Sequence, residues 1–265
     1  MTRAAIDALR AERGNVLDLI ASLSDDEWQL PSDCDGWRVQ DVIAHMSAVF
    51  VTVSGGTTAR AEPPTDDAER NADAAVEERR GWDTAAVAAE YERSSETAIA
   101  ALAGLQEPPM ADTVIPLGNL GHHPMHLLAD ALVFDHYCHL RHDLLAPGGP
   151  LQRPELPSDD LRLRPTMTWM LAGLPHMCAE ALTILDRPVE LVFEGPGGGT
   201  WHLRPGTPLV EVVEGPGTDV AATVHSNAHD FVSWGTLRRP WRELGVQVSG
   251  DEVYAAAVLD AINII

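Results

Sequence analysis

The chain has 265 residues with 45% hydrophobic and 22% charged, enough for two domains with real cores and too mixed for a disordered chain. Forty Asp and Glu face eighteen basic residues, all of them Arg, for a net charge of −22. That field repels polyanions, which excludes nucleic acid and anionic membrane surfaces as partners.

From the N-terminus, residues 3–23 place Ile6, Leu9, Val16, Leu17 and Ile20 at helical spacing, and SDDE at 24–27 reads as an N-cap with an acidic first turn. After a turn at DCDGW (33–37), RVQDVIAHMSAVFVTV predicts a second helix with Val39, Val42, Ile43, Met46, Val49, Phe50 and Val53 on its apolar stripe. Residues 55–69 have loop composition. A third helix is expected over roughly 71–104 with a break near Gly81-Trp82, then an irregular stretch. The fourth helix is expected from Pro124 to about Leu145, where PGGP stops it. Five prolines between 147 and 165 suggest a linker between a domain at 1–148 and a second at 166–265. In the second, two short helices split at Pro175 precede the alternating runs VELVFEG, GTWHLRP and PLVEVVEG, and helices over 227–239 and 250–263 close the chain. The fold class is α+β: a four-helix bundle followed by a smaller α+β domain with an antiparallel sheet.

Chemistry concentrates in FDHYCHLRHDLL, 134–145. At about 100° per residue, Met125, Leu128, Leu132, Asp135, His139 and His142 share one stripe, and Val133, Tyr137, Leu140 and Leu144 form an apolar stripe on the opposite side. A carboxylate and an imidazole at i and i+4 on an inward face suit a divalent metal; a hydrogen-bonded core pair and a solvated helix end are the alternatives. A metal needs a third ligand, and His45 on the edge of the second helix's stripe offers one. Three N and O ligands leave a coordination position open, the catalytic pattern for zinc. His122, His123 and His126 form a competing cluster suited to surface, substrate-entry or metal roles. Cys34 and Cys138 read as structural, Trp37 as a packing anchor, and Asp41 as a helix-surface acid or an orienter of His45. The three cysteines (34, 138 and 178) are sparse and odd in number, as expected of reduced thiols in a cytoplasm, and no apolar run is long enough to span a membrane.

CDGWRVQDVIAHMS (34–47) resembles the Cys-x-Gly-Trp…Asp-Val-x-x-His motif of the mycothiol-dependent maleylpyruvate isomerase family, and DHYCHLRHDL (135–144) is similar to its acidic-x-x-x-His segment. The C-terminal half resembles the family's sterol-carrier-like domain in its Gly-rich hairpin before Trp201, the Arg pair after Gly235 and the GDEVYAAAVLDAI tail. The resemblance implies a DinB-like four-helix bundle and makes His45, Asp135 and His139 the metal ligands, with Asp135 where Glu is usual. It implies mycothiol as thiol cofactor and a substrate-binding Arg, Arg238 or Arg239, in the second domain. The implied function is a metal-held thiolate attacking an electrophilic small molecule, as a cis–trans isomerase of maleylpyruvate type or a thiol S-transferase. A non-catalytic binding protein for small or lipid-like ligands and a metal-dependent hydrolase are the alternatives. Monomer and homodimer are both compatible with the sequence.

Overall fold

The structure is a computed structural model that describes residues 3–56, 64–208 and 210–265; part of the loop expected at 55–69 lies outside the described residues. The chain divides into two compact units, the first comprising Met1–Gly118 with His122–Pro157 and the second Asn119–Gly121 with Ser158–Ile265. The α+β class is as expected, and no described helix is long and apolar enough to cross a membrane.

The first unit contains α1 (Arg3–Ser22), α2 (Asp25–Trp28), α3 (Val39–Val53), α4 (Ala68–Arg79), α5 (Thr84–Gly104), β1 (Val114–Pro116), β2 (His122–Pro124) and α6 (Leu127–Cys138). Four of these make the bundle: α1 packs on α5 and α6, and α3 packs on α5. Their stripes meet in a core that includes Leu9, Val16, Val42, Ile43, Met46, Phe50, Tyr91, Leu102, Val133 and Leu140. The expected break in the third helix separates α4 from α5. Asp83 restarts the chain by accepting a hydrogen bond from Ala86 N at 2.7 Å, the capping geometry of a fresh helix.

Pro124 does not begin the fourth helix. It pairs with Val114 in the short β1–β2 ladder, and Met125 N and His126 N donate to the carbonyls of Thr113 and Ala111. The backbone donors that a helix start would leave unsatisfied are therefore used in a ladder, and α6 starts only at Leu127. At its other end α6 passes directly into a π-helical turn, His139–Leu144, so the expected end near Leu145 holds.

In the second unit α7 (Asp160–Met177) is followed by β3 (Val189–Glu194), β4 (Gly199–Arg204), β5 (Glu211–Glu214), β6 (Ala222–Asn227), α8 (Ala228–Gly235), β7 (Gln247–Gly250) and α9 (Glu252–Asp260). The expected linker to residue 165 is corrected here, because α7 begins at Asp160 and runs through both Pro165 and Pro175 as one helix. Asp159 caps Arg162 N at 3.2 Å and pairs with its guanidinium at 2.7 Å, and Asp160 pairs with Arg164 at 2.9 Å. The first turn is thus fixed before Pro165 is reached. The five strands lie in the order β5-β4-β3-β6-β7, with three antiparallel pairings and β3 parallel to β6. Val189, Leu191 and Phe193 alternate inward, and Phe193 stacks on Phe231 of α8 with ring centroids 4.6 Å apart.

Candidate metal centre

Two elements far apart in sequence bring the polar groups together. α3 contributes His45, which is 9% exposed, the end of α6 contributes Asp135, and the π-helical turn that follows contributes His139. His45 Nε2 lies 2.9 Å from Asp135 Oδ1, and His139 Nε2 lies 3.7 Å from the same oxygen. All three donor atoms fall within 4.8 Å of one another. A tetrahedral ion with bonds of about 2.0–2.1 Å separates its ligand atoms by roughly 3.3 Å, so the two distances bracket the spacing such an ion imposes. Asp135 reaches this point although its arm is one methylene shorter than that of Glu.

The two nitrogens of His45 also distinguish it from a core histidine. His136, fully buried one residue after Asp135, uses both: Nδ1 faces the Leu132 carbonyl at 2.9 Å and Nε2 the Tyr91 hydroxyl at 3.1 Å. His45 Nδ1 is buried with no hydrogen bond among the described residues, so the ring is held through Nε2 alone. His45 thus has one ring nitrogen engaged, Nε2, where His136 has both. Burial would push the Asp135 carboxyl up, but the facing His45 ring and the contacts from His136 and His45 outweigh it and hold it well below the usual range. The carboxylate is therefore ionised at neutral pH, the form a cation needs.

His139 is fixed from behind. Its Nδ1 lies 2.7 Å from Asp143 Oδ2, and Asp143 is 1% exposed. A carboxylate holding Nδ1–H leaves Nε2 as the lone-pair donor, facing Asp135 and His45. Sequence reasoning placed His142 on the ligand stripe and missed Asp143. The signal was present as Asp135, His139 and Asp143 at successive four-residue spacing. Cys34, read from the sequence as structural, has its Sγ 3.6 Å from His139 Nδ1. Trp37 is more than an anchor, since its ring centroid lies 5.1 Å from that of His45 and 6.4 Å from that of His139, with Nε1 donating to Asp73 at 3.0 Å.

Other residues belong elsewhere. Asp41 does not orient His45; it is buried at the start of α3, where it accepts from Arg38 N, Nε and a terminal nitrogen, each at 2.9 Å. Burial alone would raise its pKa, but the Arg38 bonds and charge lower it. Cys138 is a buried packing residue. Among the described residues, His122, His123 and His126 form no metal-ligand group; His123 is buried and His126 Nδ1 lies 2.8 Å from the Ala111 carbonyl. Arg238 and Arg239 follow α8 in the second unit, with their backbone N–H groups on the Ser233 carbonyl; the Arg239 side chain lies 3.7 Å from Glu243.

Comparison with known proteins bears on the fold and the family. Two similar solved structures are a mycothiol-dependent maleylpyruvate isomerase and a histidine-to-alanine mutant of a mycothiol-dependent maleylpyruvate isomerase, 16% and 15% identical. Each match covers 94% of this chain and 96% of the other with a TM-score of 0.56, which shows a shared fold. No curated protein matches. The model of the mycothiol maleylpyruvate isomerase N-terminal domain matches residues 9–141, a stretch that contains His45, Asp135 and His139, and the chain belongs to that family.

Proposed function

We propose that this chain is a metal- and mycothiol-dependent enzyme that directs a thiol nucleophile at an electrophilic small molecule, as a cis–trans isomerase of the maleylpyruvate type or a thiol S-transferase. The observation that carries this reading is the approach of His45 Nε2 and His139 Nε2 to one oxygen of Asp135, at 2.9 and 3.7 Å, inside the family-matched region. A divalent ion held there, zinc by its donor set, would keep a thiol ionised at neutral pH and present its sulfur as the nucleophile.

The chain's own groups have separate tasks. His45 and His139 offer neutral imidazole lone pairs and Asp135 a negative charge. Asp143 holds the proton at His139 Nδ1 and so fixes the tautomer. Trp37 packs beside the two imidazoles, its ring centroid 5.1 Å from that of His45 and 6.4 Å from that of His139. For an anionic substrate, Arg238 and Arg239 are the proposed carboxylate partners, because the net charge of −22 opposes such a substrate elsewhere.

Metal analysis and thiol-dependent turnover of the purified protein and His45→Ala test the proposal. The wild type is expected to carry one divalent ion at this site, and the variant to lose it together with activity, by at least about 100-fold, the upper end of the cost of removing even an outer partner. A metal-free wild type with full activity, or an undiminished His45→Ala, would sink the reading. An isomerase returns the thiol after each turnover, whereas an S-transferase consumes one thiol per product, so thiol stoichiometry decides between them.

A further inference from the structure

His139 takes part in two groups of donors, one on each ring nitrogen. Nε2 faces Asp135 and His45, while Nδ1 faces Asp143 Oδ2 at 2.7 Å and Cys34 Sγ at 3.6 Å. The ligand atoms of Cys34, His139 and Asp143 all lie within 4.8 Å of one another. We infer that Cys34, His139 Nδ1 and Asp143 form a second cation site, selective for a thiophilic divalent ion, that competes with the first for His139. The inference rests on the proposed metal role of His139.

The geometry is built rather than incidental. With a metal–sulfur bond of about 2.3 Å and a metal–nitrogen bond of about 2.0–2.1 Å, a tetrahedral ion separates S from N by roughly 3.6 Å. That is the separation of Cys34 Sγ from His139 Nδ1. The loop carrying Cys34 is tied to the π-helical turn carrying the other two ligands, because Asp33 N donates to the Asp143 carbonyl at 3.0 Å. Ser32 Oγ fixes the loop from within: it accepts from Cys34 N at 3.2 Å and donates to the Trp37 carbonyl at 2.8 Å. Donors held on two bonded backbone segments need little rearrangement to close on an ion: the Asp143 carboxylate, 2.7 Å from Nδ1, gives up that hydrogen bond and moves out to roughly 3.3 Å. Cys34 is in no disulfide and is the partly exposed member of the three, which gives an ion a way in.

A thiolate, an imidazole and a carboxylate form a softer set than the two imidazoles and carboxylate at the first position, and thiolate selects for softer ions such as Cd²⁺. A neutral imidazole has one lone-pair nitrogen. An ion at Nδ1 puts the ring proton on Nε2, which removes His139 from the first site. The Cys34 thiol proton is released to solvent when the ion binds. Soft metal ions thus displace the resident ion by taking its ligand away, without needing affinity for the first site.

Titration of the metal-free protein with Cd²⁺, followed by thiolate-to-metal charge-transfer absorption in the ultraviolet, tests this. The band is expected in wild type and in His45→Ala, absent in Cys34→Ser, and formed with at least tenfold weaker affinity in Asp143→Asn. Cys34→Ser is expected still to bind one divalent ion, without the band. No band in wild type, or an unchanged band in Cys34→Ser, overturns the inference; the latter would assign it to Cys138 or Cys178. The two readings fail separately: loss of thiol-dependent turnover from the first leaves the Cys34 band intact, and a missing band leaves the ion lost in His45→Ala intact.

Discussion

Asp130 and Asp135 lie on the same helix, yet their environments drive them in opposite directions. Asp135 is held ionised by the imidazoles around it, whereas Asp130 is 2% exposed and its Oδ2 has no hydrogen bond among the described residues. Burial pushes the Asp130 carboxyl up to about 7. An acid whose pKa is raised by folding favours the native state fully below its unfolded value, about 3.9, and loses that contribution as pH rises to the folded value. Asp130→Asn should therefore gain stability relative to wild type by about 1.4 kcal/mol per pH unit between about pH 4 and pH 7 and level off above, for a total of at most ~4 kcal/mol. Urea denaturation across that range measures it, and parallel profiles for the two proteins would refute it. At this scale the sequence was informative about ligands and poor about their support. His45, Asp135 and His139 stand out because imidazole and carboxylate interrupt apolar stripes. Cys34 and Asp143 do not, because their relevance depends on how a loop and a π-helical turn are bonded together.

That turn, His139–Leu144, is the element that sets the back of the site. An i→i+5 turn adds one residue per turn and rotates the residues downstream of it, so a strict 100° projection past residue 138 misplaces the side chains. The stripe read from the sequence ended on His142, while the carboxylate on His139 Nδ1 is Asp143. Glycines pack against this turn: a Cβ on Gly149 would lie 2.5 Å from the Asp143 carbonyl oxygen and 2.2 Å from the Leu144 carbonyl carbon. Gly149→Ala must therefore shift backbone, at a cost of about 1–3 kcal/mol as in overpacked cores. It should also weaken metal binding about tenfold through Asp143, the lower end for loss of an outer partner. Thermal unfolding and a metal titration check the two effects; an alanine accommodated without change in either would show that the turn is not clamped. The other misread elements have the same kind of cause. Pro124 looked like a helix start until its neighbours paired with the segment before, and α7, its first turn held by Asp–Arg pairs, runs through both Pro165 and Pro175. β6 and β7 were not anticipated. β6 alternates Ala222, Val224 and Ser226 inward, but its polar residues and the helix directly after it blur the pattern.

At the scale of the molecule, all proposed ligands of both sites belong to the first unit, and they join α3 to the end of α6. A group that binds the folded state alone stabilises it by RT ln(1 + [L]/Kd), about 2.7 kcal/mol at a hundredfold excess over Kd. For a unit of this size that is worth about 5–10 °C in midpoint temperature. The stabilisation acts where the ion crosslinks helices. Chelation should lower the midpoint of the first unit and reduce amide protection mainly in peptides from α3, α6 and the π-helical turn, while the strands of the second unit keep theirs. Hydrogen exchange with and without chelator measures this, with His45→Ala as the control, since a protein lacking the site has no bound ion to lose. Equal loss of protection across both units, or an equal response in the control, would mean that the three residues are a hydrogen-bonded core cluster. A selective response would mean that the bundle keeps its polar groups at the helix ends for an ion that also holds those ends together.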